Sequence, residues 1–178
     1  MIIAEKKRKE NIVEWLLYMW QIEDLIRANH FDMDTIRRRV IARYACSREE
    51  ENRIGHWYES LIEKMQKEGV EEKGHLPEHE AVLDNLTALH QHLMASPQET
   101  LYHATYYKIL PHIVHLRAKS GGTTMPEIET CLTALYGYLM LKIQQKEVSA
   151  ETQEALKQLA SFLSILAEKY ENNLSNRS

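Results

Sequence analysis

Nine histidines in a chain of 178 residues are the side chains best suited to chemistry, because imidazole binds metals and moves protons near neutral pH. His79 and His90 fall within roughly 20° of each other on a helix that turns about 100° per residue, and Leu83 and Leu86 share their line. Both histidines therefore border a core face. His103 stands at a comparable height on the next helix of an antiparallel hairpin, and Glu99, one turn earlier, could orient its ring. Neutral imidazoles backed by a carboxylate are how proteins hold zinc, nickel or iron. The competing account is that each sits at the edge of the core and bonds to backbone or water.

A second polar line interrupts the apolar run from Ile12 to Trp20. Glu14 and Gln21 share a helical face there, with Glu10 one turn earlier. A carboxylate in a desolvated cavity has a raised pKa and can serve as a general base. Against this, buried carboxylates are usually paired, so Glu14 is expected to meet an arginine from another helix or to lie at the bundle's edge. The candidate pocket is thus Glu14, Gln21, His79, His90, Glu99 and His103.

Weaker patterns follow. The stretch from Glu71 to Glu80 holds one Glu-x-x-His and one His-x-x-x-His spacing, between His75 and His79. A carboxylate-bridged di-iron bundle needs two such motifs on helices, and this one straddles Gly74 and Pro77. His112 and His115 fall on a polar stripe with Lys108 and Lys119, which would repel a cation. Arg37, Arg38, Arg39 and Arg43 form a candidate anion-binding side, since guanidinium binds two oxygens at once. Glu49, Glu50 and Glu51 follow closely and could neutralise it, and the nearby aromatics lie on apolar stripes rather than beside the arginines. There is no Gly-rich phosphate loop, no GxSxG and no HExxH. The sequence assigns no cofactor and establishes no metal.

The elements that must position these residues are helical. Six glycines and four prolines are too few turn formers for a many-stranded β protein. Apolar periodicity predicts helices over about 4–29, 34–45, 47–68, 77–94, 97–119, 124–146 and 149–172. Ser47 with Glu50, and Thr124 with Glu127, read as capping boxes. Ser96 with Pro97 reads as a cap followed by a proline in the first turn. Pro111 should kink its helix, and residues 69–77 read as a flexible loop. The fold class is all-α: an irregular bundle of six or seven helices in a single domain over 1–172, with a frayed polar tail over 173–178.

Composition bounds the function. Hydrophobic residues make up 44% and charged residues 27%, with a net charge of −4, so the chain is globular and its field argues against nucleic acid. Cys46 and Cys131 carry no CxxC spacing, which argues against a disulfide framework or a thiolate zinc site. The apolar run Trp15–Trp20 is far short of the ~20 residues that span a bilayer. No secretory signal is evident. These features point to the cytoplasm.

The N-terminal segment KKRKENIVEWLLYMWQIEDLIRAN, centred on Tyr18-Met-Trp-Gln-Ile-Glu-Asp-Leu-Ile-Arg27, resembles a family of Bacteroidetes proteins of similar length, all-helical, known as a domain of unknown function. The resemblance implies a bacterial cytosolic helical protein. It carries over no catalytic residue.

The leading functional expectation is a non-enzymatic helical protein that binds another protein or a copy of itself as a homodimer. It rests on the girdle from Trp15 to Trp20, which is apolar all round and needs covering. The alternative is a metal-dependent or small-molecule-binding protein with the six candidate pocket residues in one cavity. A third possibility is anion or RNA binding through the arginines.

Overall fold

A computed structural model of the chain describes residues 2–44, 46–119 and 125–175. Among them are eight α-helices, one 3₁₀ turn at Ile41–Tyr44 and no strand. The helices are α1 (Ile2–Glu10), α2 (Ile12–Ala28), α3 (Met33–Arg39), α4 (Arg48–Lys67), α5 (Pro77–Ala95), α6 (Thr100–Lys119), α7 (Glu127–Ile143) and α8 (Ala150–Ser175). The all-α expectation holds, and the count rises by one for a local reason. Asn11 breaks the expected first helix, its Oδ1 accepting the Val13 N–H at 3.0 Å and so starting α2 afresh. The break also resolves a conflict with the helix dipole. Lys7, Arg8 and Lys9 occupy the last turn of α1, where cations are favoured, rather than the first turn of a longer helix.

Other boundaries differ in instructive ways. The Ser47–Glu50 capping box forms as expected and opens α4. α6 begins at Thr100 rather than Pro97, because Ser96 to Glu99 form a tight turn in which the Glu99 N–H donates to the Ser96 carbonyl. Pro126, not Thr124, precedes α7 and gives no side-chain cap; Thr124 itself lies outside the described residues. α6 runs unbroken through Pro111, which sits on its exposed side, where water can bond the carbonyl left without an amide. α8 continues to Ser175, into the expected tail.

The described residues form two compact units. The first comprises residues 1–10 and 14–81, and the second 11–13 and 82–178. In the first, α3 and the 3₁₀ turn pack on α4, with Ile36, Ile41, Tyr58 and Met65 almost wholly buried. In the second, α6, α7 and α8 pack on one another, and Leu159, Phe162, Leu163 and Leu166 supply the buried stripe of α8. That stripe follows the i, i+3, i+4, i+7 rhythm read from the sequence.

Candidate functional site

The first unit contains a carboxylate the sequence did not single out. Glu23 lies on α2 between Met19 and Ile26, in the middle of the buried stripe, and is fully buried. Its Oε2 accepts from His75 Nδ1 at 2.6 Å, and its Oε1 from His79 Nδ1 at 2.6 Å and from the Leu76 N–H at 2.9 Å. Burial pushes its pKa up, but the hydrogen bonds from His75, His79 and Leu76 more than offset this and hold it at about 2. The carboxylate is therefore ionised and can only accept, so both Nδ1 atoms carry protons.

Trp20 stacks on His75 at 4.4 Å, and Trp15 meets His79 edge-on at 5.2 Å. One turn along α2, Arg27 donates to the Val70 and Gly74 carbonyls. Gly74 has a φ of 82°, a conformation glycine adopts without strain. Glu23 and Arg27 thus pin the segment expected to be a flexible loop. The His-x-x-x-His spacing of His75 and His79 is the part of this site visible in the sequence. Both rings contact carboxylate oxygens directly, leaving no gap for an ion between them.

His79 Nε2 is different. It is buried and has no hydrogen-bond partner, an arrangement that costs about 1–3 kcal/mol. The nearest acid, Glu78 Oε1, is 4.0 Å away. His79 and Glu78 line a cavity of about 200 Å³ together with Trp15, Trp57, Leu61 and Lys64.

The second unit holds its own network around His90 on α5. His90 Nδ1 accepts from the Tyr102 hydroxyl at 2.8 Å, and Nε2 donates to Glu127 Oε2 at 3.1 Å. Tyr106 donates to Glu127 Oε1 at 2.9 Å, and Arg117 lies 3.9 Å from the same oxygen. Phe162 closes over the ring edge-on. Burial depresses the His90 pKa, opposed by Glu127. Burial, then the bond to Glu127, pushes Tyr106 up to about 12. Each polar atom of His90 is satisfied, so this is a buried clamp rather than a reactive group.

The six candidate pocket residues do not share a partner. Glu14 is exposed and pairs with Lys7 at 3.0 Å, so it is not the desolvated base considered above. Gln21 is half-buried. His79 bonds Glu23, whereas His90 bonds Tyr102 and Glu127. His103 Nε2 donates to the Leu93 carbonyl at 2.9 Å, near the end of α5. Glu99 is held by Lys169 at 2.7 Å and does not orient His103. Among the described residues, no group of three or more His, Cys, Asp or Glu is arranged to hold a metal ion.

Of the anion-binding candidates, Arg37 pairs with Glu59 at 2.9 Å, and Arg38 reaches Thr35 at 3.4 Å. Arg39 and Arg43 are exposed. The acid that pairs with Arg37 is Glu59 rather than Glu49, Glu50 or Glu51.

A family model described as "Domain of unknown function (DUF4924)" matches residues 1–176. The chain belongs to the DUF4924 family. No curated protein and no solved structure matches it. The DUF4924 match takes in both histidine clusters and names no activity for either. No helix among the described residues is long and apolar enough to cross a membrane.

Proposed function

We propose that this DUF4924 chain is a non-enzymatic docking module of the bacterial cytoplasm, whose second unit receives an amphipathic helix of another protein. The observation that carries the reading is a row of exposed apolar side chains on α6. Leu101, Tyr107 and Val114 are 73%, 61% and 59% exposed. Ala104, Pro111 and Ala118, all exposed, complete the row. From Ala104 to Ala118 the spacing alternates three and four residues and stays within about 80° of arc. Isolated exposed apolar residues are ordinary, but a periodic row with a polar margin marks an interaction face. On α7 of the same unit, Leu141 and Ile143 are also exposed, at 37% and 56%.

The margin selects the partner. Lys108, His115 and Lys119 follow one edge of the row, so an incoming helix with Leu-type residues in the seam and acidic flanks is complementary. Two copies packed antiparallel through this row would set the same basic edge against itself, leaving Lys108 and Lys119 without acidic partners across the seam. The girdle argument for self-association also lapses, since Trp15 and Trp20 are only 5% and 4% exposed within the chain itself.

The test is a synthetic three-heptad peptide with leucine in the seam and glutamate on both flanks, titrated against the full chain. Binding that weakens with salt and is lost in the Tyr107→Glu/Val114→Glu variant is expected. A matched peptide with lysine flanks should not bind. A concentration-dependent dimer abolished by the same variant would replace this reading with self-association. No binding by either peptide to a monomeric chain would end it.

A further inference from the structure

Beyond the docking face, the first unit contains a binding site in waiting at His79. Its Nδ1–H is committed to the ionised Glu23, which fixes the tautomer and leaves Nε2 with a lone pair in the neutral ring. That atom is buried and unpartnered. Glu78 Oε1, 4.0 Å off, is itself an acceptor and cannot satisfy it. Nδ1 is turned to Glu23, and Nε2 lies nearest Glu78, which lines the cavity with His79. Such an acceptor, backed by a carboxylate, is strong and waits for a donor.

The cavity's remaining chemistry narrows the donor. Its volume of about 200 Å³ suits a small molecule. Trp15, Trp57 and Leu61 give it aromatic and aliphatic walls. The basic groups lining it are engaged: Lys64 bonds Glu78 at 3.2 Å, and the Arg8 guanidinium lies over the Trp15 ring at 4.8 Å. With each cation matched to a carboxylate or a ring, the walls favour a neutral guest over an ion. Glu78 and Lys64 have side chains 51% and 49% exposed, so the ion pair can swing outward together and uncover Nε2 while Lys64 keeps its carboxylate.

We propose that this cavity binds a small, neutral, planar molecule carrying one hydrogen-bond donor, of the phenol type, with His79 Nε2 accepting its proton and Glu78 acting as a movable cover. Glu23 is the positioning residue that sets the tautomer.

The experiment titrates the full chain with phenol, toluene and benzoate by calorimetry, with the histidine side-chain nitrogens followed by NMR. Phenol is expected to bind saturably, more tightly than the other two, and to shift the His79 Nε2 resonance. His79→Phe keeps a ring against Trp15 but removes the acceptor, so phenol affinity should fall about tenfold, toward that of toluene. Because that substitution also strips a donor from Glu23, Glu78→Ala provides a second arm on the exposed side. It should bind phenol more tightly with the fold intact. Benzoate binding more tightly than phenol, an unmoved Nε2 resonance at saturation, weaker phenol binding by folded Glu78→Ala, or no binding of any probe by the folded protein would each overturn the proposal.

Discussion

Glu23 gathers three hydrogen-bond donors on one buried carboxylate, and its titration should be visible in stability. Its pKa falls from an ordinary 4.5 to about 2 in the fold. A carboxylate depressed in this way stabilises the fold fully above its unfolded pKa and loses that contribution as pH falls from 4.5 towards 2. The stake is on the order of 3 kcal/mol. Urea unfolding across this window should show a steep decline in wild type and a much flatter one in Glu23→Gln, which starts less stable because the amide keeps one acceptor oxygen and turns a donating NH2 toward the donors that the other oxygen served. His90 acts at higher pH. Burial lowers its pKa below the ordinary 6.5, so the fold favours the neutral ring. Stability from this site is present above 6.5 and declines as pH drops below it. His90→Gln should erase that limb in a series of melting temperatures against pH.

Helices were the most legible level, because their stripes and caps are local. Ser47 and Glu50 form the box their spacing announces, and replacing Ser47 by Ala should lower stability by about 1 kcal/mol in chemical denaturation. Gly137 is a helix-interior glycine of α7 around which an added Cβ meets nothing within 4 Å. Gly137→Ala should therefore raise stability by roughly 0.5–1 kcal/mol, read as a higher midpoint in the same assay. The break at Asn11 was not legible, since residues 5–10 are charged side chains that suit an exposed helix and only a side-chain bond to Val13 decides the matter. The candidate site was legible in part. His79 was named, and the His75–His79 spacing was noted and set aside because Pro77 interrupts it. Glu23 was missed although it stands at the i+4 position from Met19 and the i−3 position from Ile26, where a charge on a core stripe demands partners. Those partners come from the loop before α5 and from its first turn, about fifty residues away in sequence, and no local pattern links the two.

At the scale of the molecule, the two compact units each carry a private core and a private buried imidazole–carboxylate contact, Glu23 with His79 and Glu127 with His90. All three tryptophans, Trp15, Trp20 and Trp57, belong to the first. Tryptophan fluorescence thus reports one unit, while far-UV circular dichroism reports both. Under guanidinium the two signals should give different midpoints, and Glu23→Gln should move the fluorescence midpoint by the larger amount. Coincident curves would mean that the units unfold as a single cooperative block.

Cys131 supplies the complementary probe. It is fully buried in α7, and burial pushes its thiol up to about 12, so in the closed protein it offers almost no thiolate to an alkylating reagent. With Cys46 replaced by serine, the labelling rate of Cys131 would measure how often the second unit transiently opens under native conditions. The fold thus has a clock built into one half and a lamp built into the other.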